Sequence, residues 1–273
     1  MSRRLWKCSM PIKEIECQSV LRRFTAPDTY FHGLYGLDVY QNCAFACRYC
    51  DSSFDSMIYI CRNAVEILSE EIAELPRGRV IIGSVHDPYQ TVEESFVLVR
   101  QVIDLLIRNG FAVHVLTKSP LVLRDIDLLR RSEQSLVTIS MMSFDDVINQ
   151  RFEPLVPSAK DRLQALKQLV DAGVTAGVAI FPILPFLVEE GLPELVHNVK
   201  MFHGKYVVYK HLELKGALKE QYLQIIQEFY PKLVGKYENL YSEGFSPSEK
   251  YIQDLALQMN TICHAEKIAC TIP

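Results

Sequence analysis

From Gly78 onward the chain alternates short β-branched apolar runs with longer stretches of helical period. The runs are Val80-Ile81-Ile82-Gly83-Ser84, Ala112-Val113-His114-Val115-Leu116-Thr117, Leu136-Val137-Thr138-Ile139-Ser140, Val178-Ala179-Ile180-Phe181 and Tyr206-Val207-Val208-Tyr209. Their near-continuous apolar character predicts buried strands of a parallel sheet. Between them Phe96, Val99, Ile103 and Leu106 step by three and four, as do Ala159, Leu163, Leu166 and Val170, which puts each set on one helical face. Asn109-Gly110 and Ala172-Gly173 are placed to end those helices. An earlier strand is predicted over Leu34 to Tyr40 and a helix over Asn63 to Glu74. Roughly six strand-helix units make an α/β protein, read as a parallel barrel or partial (β/α)6 barrel.

The end of the chain reads differently. Ser246-Pro247-Ser248-Glu249 is a capping-box start with proline at the first helical position, and Ile252, Leu255, Met259 and Ile262 keep helical spacing after it. A C-terminal helix packed on the barrel is expected. Neither a repeat nor a linker interrupts the pattern, so the organisation expected is an N-terminal extension (1–32), a barrel core (33–212) and a C-terminal helical region (213–273).

Composition narrows the class. With 273 residues, 49% of them hydrophobic, one well-packed core is within reach. The 29 basic and 33 acidic residues leave a net charge of -4, which gives no global field to draw a polyanion. A nucleic-acid partner would need a local patch, and Arg3, Arg4, Lys7, Arg22 and Arg23 are few and scattered. No apolar run reaches the length of a membrane span and the N-terminus lacks a signal-peptide core, so a cytoplasmic protein without a membrane partner is expected. In a reducing compartment, clustered thiols point to metal or catalysis rather than disulfides.

Such a cluster exists. Asn42-Cys43-Ala44-Phe45-Ala46-Cys47-Arg48-Tyr49-Cys50-Asp51 carries three of the eight cysteines, just past the first strand. A structural zinc site takes four ligands, and the next thiol, Cys61, stands eleven residues on. A four-iron, four-sulfur cluster held by three thiolates leaves one iron to bind something else, a catalytic arrangement at the strand C-termini where barrels keep their sites.

The Cys43, Cys47, Cys50 spacing resembles that of the radical S-adenosylmethionine (SAM) enzymes. The resemblance implies a [4Fe-4S] cluster whose fourth iron chelates SAM, reductive cleavage of SAM to methionine and a 5'-deoxyadenosyl radical, and an electron donor such as flavodoxin or ferredoxin. It also implies that Tyr49 contacts adenine. Gly83-Ser84-Val85-His86-Asp87-Pro88-Tyr89-Gln90, Leu116-Thr117-Lys118-Ser119 and Arg151-Phe152-Glu153-Pro154 are similar to the spore photoproduct lyase-like family over roughly Leu34 to Tyr230. By that resemblance Ser84 or Asp87 holds the methionine amino group, Lys118 the carboxylate, Ser140 (or nearby Ser143) a further SAM contact, and Ile180, ahead of Pro182 and Pro185, the adenine.

Each has a plainer alternative. Asp87-Pro88 is a common turn pair, Lys118 a solvated lysine, Ser140 a strand-end cap and Ile180 core packing. Arg151 and Glu153 either border the pocket or pair with each other. His86 and His114 are read as structural, His114 in the barrel wall, and Met141-Met142 as packing at a strand end.

Two residues depart from the lyase. Its hydrogen-donating cysteine at the end of the second strand is replaced by Ser84, a poorer donor, and the tyrosine after its last cluster cysteine by Asp51. The remaining thiols, Cys8, Cys17, Cys61, Cys263 and Cys270, read as buried small hydrophobes, with Cys61 the best candidate for a donor or a second functional thiol. Cys263 and Cys270 alternatively ligate something with a partner, though two thiols seven apart lack a common metal spacing. Tyr35, Phe54, Tyr59 and Tyr89 are candidates for stacking on bases or for core packing. The expectation is a radical SAM enzyme abstracting hydrogen from a nucleic-acid lesion, a peptide or a small molecule. The competing reading is a metal-binding interaction protein.

Overall fold

The apolar runs line up side by side in the computed structural model, which describes residues 10–51 and 57–273. Phe54, Cys8 and the basic Arg3, Arg4 and Lys7 lie outside the described residues. The first half comprises β1 (Ile12–Ile15), β2 (Leu21–Arg23), β3 (Tyr35–Leu37), β4 (Tyr40–Gln41), β5 (Ile58–Cys61), α1 (Ala64–Glu71), β6 (Arg79–Ile82), α2 (Glu93–Phe96), α3 (Leu98–Arg108), β7 (Ala112–Thr117), α4 (Ile126–Leu129) and β8 (Leu136–Ser140). The second comprises α5 (Asp146–Phe152), α6 (Ala159–Asp171), β9 (Thr175–Ile183), α7 (Leu192–Met201), β10 (Val207–His211), α8 (Ala217–Phe229), α9 (Val234–Leu240) and α10 (Glu249–Glu266).

The main sheet has the order β10-β9-β8-β7-β6-β3-β2. Every pairing from β3 to β10 is parallel, and β2 caps the β3 edge antiparallel. This is the expected partial barrel, with β2 and β10 as its edges. Strand alternation divides the core. Val80 and Ile82, Val113 and Val115, Val137 and Ile139, and Val178 and Ile180 face the helices. Ile81, Leu136, Ala179 and Val208 face inward and pack with Phe31, Tyr206 and Ile272. Both faces are covered, which is why the strands read as continuous apolar runs.

Several local expectations shift. Phe96 does not share a helix with Val99, because Val97 takes a left-handed conformation (φ 53°) that separates α2 from α3. The terminal helix is capped by Ser248, whose hydroxyl accepts from the Tyr251 amide, two residues later than the capping box suggested. The segment read as an N-terminal extension supplies β1 and β2. Tyr35 and Tyr89 are buried, hydrogen-bonding Pro76 O and the Asp125 carboxylate, so neither is available to stack on a base. Met141 and Met142 are fully buried at the end of β8. Among the described residues no helix is long and apolar enough to cross a membrane.

Candidate active site

The cysteine loop is the connection of a hairpin. Tyr40 pairs with Ile60 and Gln41 with Tyr59 across β4 and β5, and the chain between them carries Cys43, Cys47 and Cys50. Gln90, fully buried, holds the loop's start, its side chain donating to Asn42 O (2.9 Å) and accepting from the Ala44 amide (2.9 Å). The Arg48 amide donates to Phe152 O at 2.9 Å, tying the loop to the end of α5. Asn42 and Ala46 take positive φ (65° and 45°), so the loop turns sharply between its thiols.

Below the hairpin, β5 pairs parallel with β1, and Cys17 and Cys61 are joined as a disulfide with Cα atoms 5.6 Å apart. Cys61, the thiol expected to be a hydrogen donor, is thus placed against Cys17. The partner strand brings Cys17 against it, and Cys61 lines neither cavity of the site.

Cys43, Cys47 and Cys50 stand around a cavity of about 120 Å³ that Tyr49, Ser84, Asp87, Lys118 and Ser140 also line. Three soft thiol donors lining one space with a lysine and hydroxyls suit an iron-sulfur cluster with a polar ligand beside it. Burial pushes the Cys43 thiol up to about 12 and holds Cys47 well above its ordinary value, while the Lys118 charge works against burial at both.

Gly83 opens the loop after β6 with φ 86°, and a Cβ there would meet Leu116 O at 2.5 Å, so the turn requires glycine. Asp38 then organises that loop, accepting from Ser84 Oγ (2.8 Å), the Val85 amide (3.1 Å) and the His86 amide (3.0 Å). Asp87 accepts from the Tyr89 amide, Thr117 Oγ1 and the Lys118 amide. Its carboxyl therefore ties this loop to the end of β7, although burial raises its pKa.

Lys118 Nζ donates to Ser140 Oγ (3.1 Å) and lies 5.9 Å from the centre of the Tyr49 ring. Burial would lower its pKa, but Cys47, Glu153 and Asp87 outweigh burial and hold it above the usual lysine value. Ser143 instead accepts from the Asp145 amide at the start of α5.

Glu153 pairs with Arg162, not with Arg151. The two are buried, with Nη2 2.9 Å from Oε2; Arg162 Nη1 donates to Ser140 O, and the Tyr49 hydroxyl donates to Glu153. Burial alone would raise the Glu153 pKa, but Arg162 and Lys118 reverse it, so the carboxylate is charged. Arg151 lies over the Phe229 and Tyr230 rings. The sequence signal for Arg162 was a charge on the buried stripe Ala159, Leu163, Leu166 of α6, and for Asp38 an acid between the apolar Leu37 and Val39.

Ile180 is fully buried. It packs toward the helices, and the alternation of β9 turns its neighbour Phe181 into the site, where it lines both cavities and packs edge-on to Tyr30. The second cavity, about 540 Å³, adjoins the first through Tyr49, Ser84, His86, Lys118 and Phe181 and widens to Asp51, Lys210, His211, Glu213 and Lys215. Deeper in the barrel, His114 faces inward. Its Nε2 is 2.6 Å from Thr138 Oγ1, which is 2.7 Å from the Tyr206 hydroxyl.

The model of the radical SAM superfamily matches residues 37–199. The chain therefore belongs to the radical SAM superfamily, enzymes that use a [4Fe-4S] cluster and SAM for radical chemistry. Its fold is similar to that of spore photoproduct lyase. A single-site mutant of that lyase superimposes with a TM-score of 0.74 at 17% identity, covering 93% of this chain and 79% of that one. The lyase complexed with dinucleoside spore photoproduct gives 0.73 at 16% identity over the same shares. An uncharacterized protein of Mycobacterium tuberculosis is 27% identical over 252 residues, 85% of this chain and 74% of its own. One of Methanocaldococcus jannaschii is 26% identical over 208 residues, 72% of this chain and 77% of its own.

Proposed function

We propose that this enzyme cleaves SAM reductively and directs the resulting radical at a C–H bond of a substrate seated in the 540 Å³ mouth. The observation that carries the reading is the shared wall. The three thiols of the hairpin loop line the same cavity as Lys118, Ser140 and Tyr49, and that cavity continues into the mouth. Cys43, Cys47 and Cys50 are the ligands this chain offers to the cluster. Bound there and reduced, the cluster and SAM together supply a 5'-deoxyadenosyl radical.

The remaining roles belong to side chains. Lys118 is a fixed cation for the SAM carboxylate, and Ser84, held by Asp38, is a hydroxyl for its amino group. Asp87 positions Lys118 through its backbone. Phe181 and Tyr49 offer ring faces to adenine. The electron enters from a small redox protein of the flavodoxin or ferredoxin class.

A solved structure of spore photoproduct lyase is complexed with dinucleoside spore photoproduct, and damaged dinucleotides are the first substrates to try. The mouth also favours a second reading. Asp51 and Glu213 stand among Lys210 and Lys215 there, and a lining of both signs suits a zwitterionic peptide or small molecule better than a polyanion.

The test is anaerobic reconstitution followed by reduction, addition of SAM and quantification of 5'-deoxyadenosine, for the native chain and for Cys47→Ala. Product that depends on Cys47, with iron near four per chain, is expected. Stoichiometric zinc, or a reduced cluster whose electron paramagnetic resonance does not respond to SAM, would overturn the reading.

A further inference from the structure

β10 ends the main sheet, and on its outer side the pairing among the described residues is with the C-terminal tail alone. There the Val207 amide donates to Ala269 O (2.8 Å), and Tyr206 and Ala269 form a parallel bridge. On its inner side β10 pairs in regular parallel register with β9 through Val207, Val208 and Tyr209. Successive residues of such a strand turn their amide and carbonyl to alternate sides. The Val207 amide points outward, so the amide and carbonyl of Tyr209 do too, and no other described strand meets them.

After Ala269 the tail leaves this edge, and Ile272 is buried among the inward-facing residues of the barrel. Beside Tyr209 stands a cavity of about 320 Å³, lined by Tyr30 and His32, by Val208 and Tyr209, and by Leu255 and Ala256 of α10. It adjoins the substrate mouth, because Lys210 and His211 line both. A ligand that follows β10 from Tyr209 reaches the mouth within two residues, about 7 Å.

The exposed backbone groups decide the class of ligand. An amide and a carbonyl at strand spacing are completed by another polypeptide main chain, which carries both partners. A phosphodiester backbone offers acceptors alone. The mouth itself carries both signs, with Lys210 3.2 Å from Glu213.

Building on the peptide reading of the mouth, we infer that the substrate is a polypeptide that docks as an added strand on the outer edge of β10 and presents its target residue in the mouth. Tyr209 supplies the rung, its amide donating to a guest carbonyl and its carbonyl accepting from a guest amide. The tail shows that this edge takes a strand, since Ala269 already occupies the rung before it.

Binding tests the edge apart from SAM chemistry. The full chain, reconstituted anaerobically, is passed over an array of immobilised short peptides of mixed sequence, and the retained peptides are resynthesised with N-methylated amides. N-methylation is expected to weaken them about tenfold, because it removes main-chain donors and leaves the side chains intact. Tyr209→Pro removes the outward amide and spares the β9 ladder, a place where an edge strand tolerates proline, and is expected to weaken the same peptides about tenfold. Tyr209→Ala keeps the amide and most of the affinity. The N-methyl readout uses the native chain, so it does not depend on how Tyr209→Pro folds. A retained peptide is also expected to raise 5'-deoxyadenosine formation above that with SAM alone. Retention of no peptide, affinity that survives both changes, or displacement by a single-stranded oligonucleotide of mixed sequence would overturn the docking. Bound peptides that leave 5'-deoxyadenosine formation unchanged would overturn their role as substrate. A chain that cleaves no SAM under any condition counts against the preceding proposal, and the binding arm still decides the docking.

Discussion

Lys118 shows how one residue's position decides its chemistry. A lysine after a strand reads as solvated, yet here it is enclosed by Tyr49, Ser140 and the cysteine loop and kept charged by its neighbours. A charge-assisted hydrogen bond contributes about 1.5–3 kcal/mol. Lys118→Met is therefore expected to weaken SAM binding by roughly 10- to 100-fold, with iron content unchanged, as measured by anaerobic equilibrium dialysis. Unchanged affinity would remove Lys118 from the SAM site. His114 illustrates the opposite case. Burial, then Arg79, push its pKa down to about 3 from 6.5. The unfolded chain takes up a proton below pH 6.5 and the folded chain does not, so stability falls as pH drops from 6.5 toward 3 and is unaffected by this group above that window. The slope is at most about 1.4 kcal/mol per pH unit. His114→Gln is expected to flatten the loss of stability in urea unfolding between pH 6.5 and 4.5, and an unaltered slope would refute the linkage.

At the scale of elements, the connections between loop and helix matter more than the helices themselves. Glu153, just after α5, joins Tyr49 of the cysteine loop to Arg162 of α6, and Arg162 reaches the end of β8. Removing one partner of a buried ion pair leaves a desolvated charge and costs about 3–5 kcal/mol. Glu153→Ala is thus expected to lower the melting temperature markedly and to loosen Tyr49, while adding Arg162→Met restores part of the loss. If the double variant melts no higher than the single one, the pair does not carry that energy. The strands and most helices were legible because their apolar periodicity is local. The break at Val97 was not, since Phe96 and Val99 keep helical spacing across a residue whose φ is positive. Nor was the inward turn of Phe181: an unbroken apolar run such as Val178–Phe181 does not say which of its residues face inward.

For the whole molecule, the barrel followed from the sequence because six apolar runs alternate with amphipathic stretches, and the cluster loop because three thiols fall within eight residues. The rest of the site draws on residues far apart in the chain. Asp38 meets Ser84 across β3 and β6, and Glu153 meets Tyr49 at a separation of 104 residues. No local pattern encodes such pairings, and the Cys17–Cys61 bond across 44 residues is another of them. That bond fastens the end of β1 to β5, the strand into which the cysteine loop runs. Thiol reductants, commonly added to keep cysteines ready for iron, also attack disulfides. The additive that prepares Cys43, Cys47 and Cys50 therefore unfastens the footing beneath them, and preparations made with and without it are different starting materials for cluster assembly.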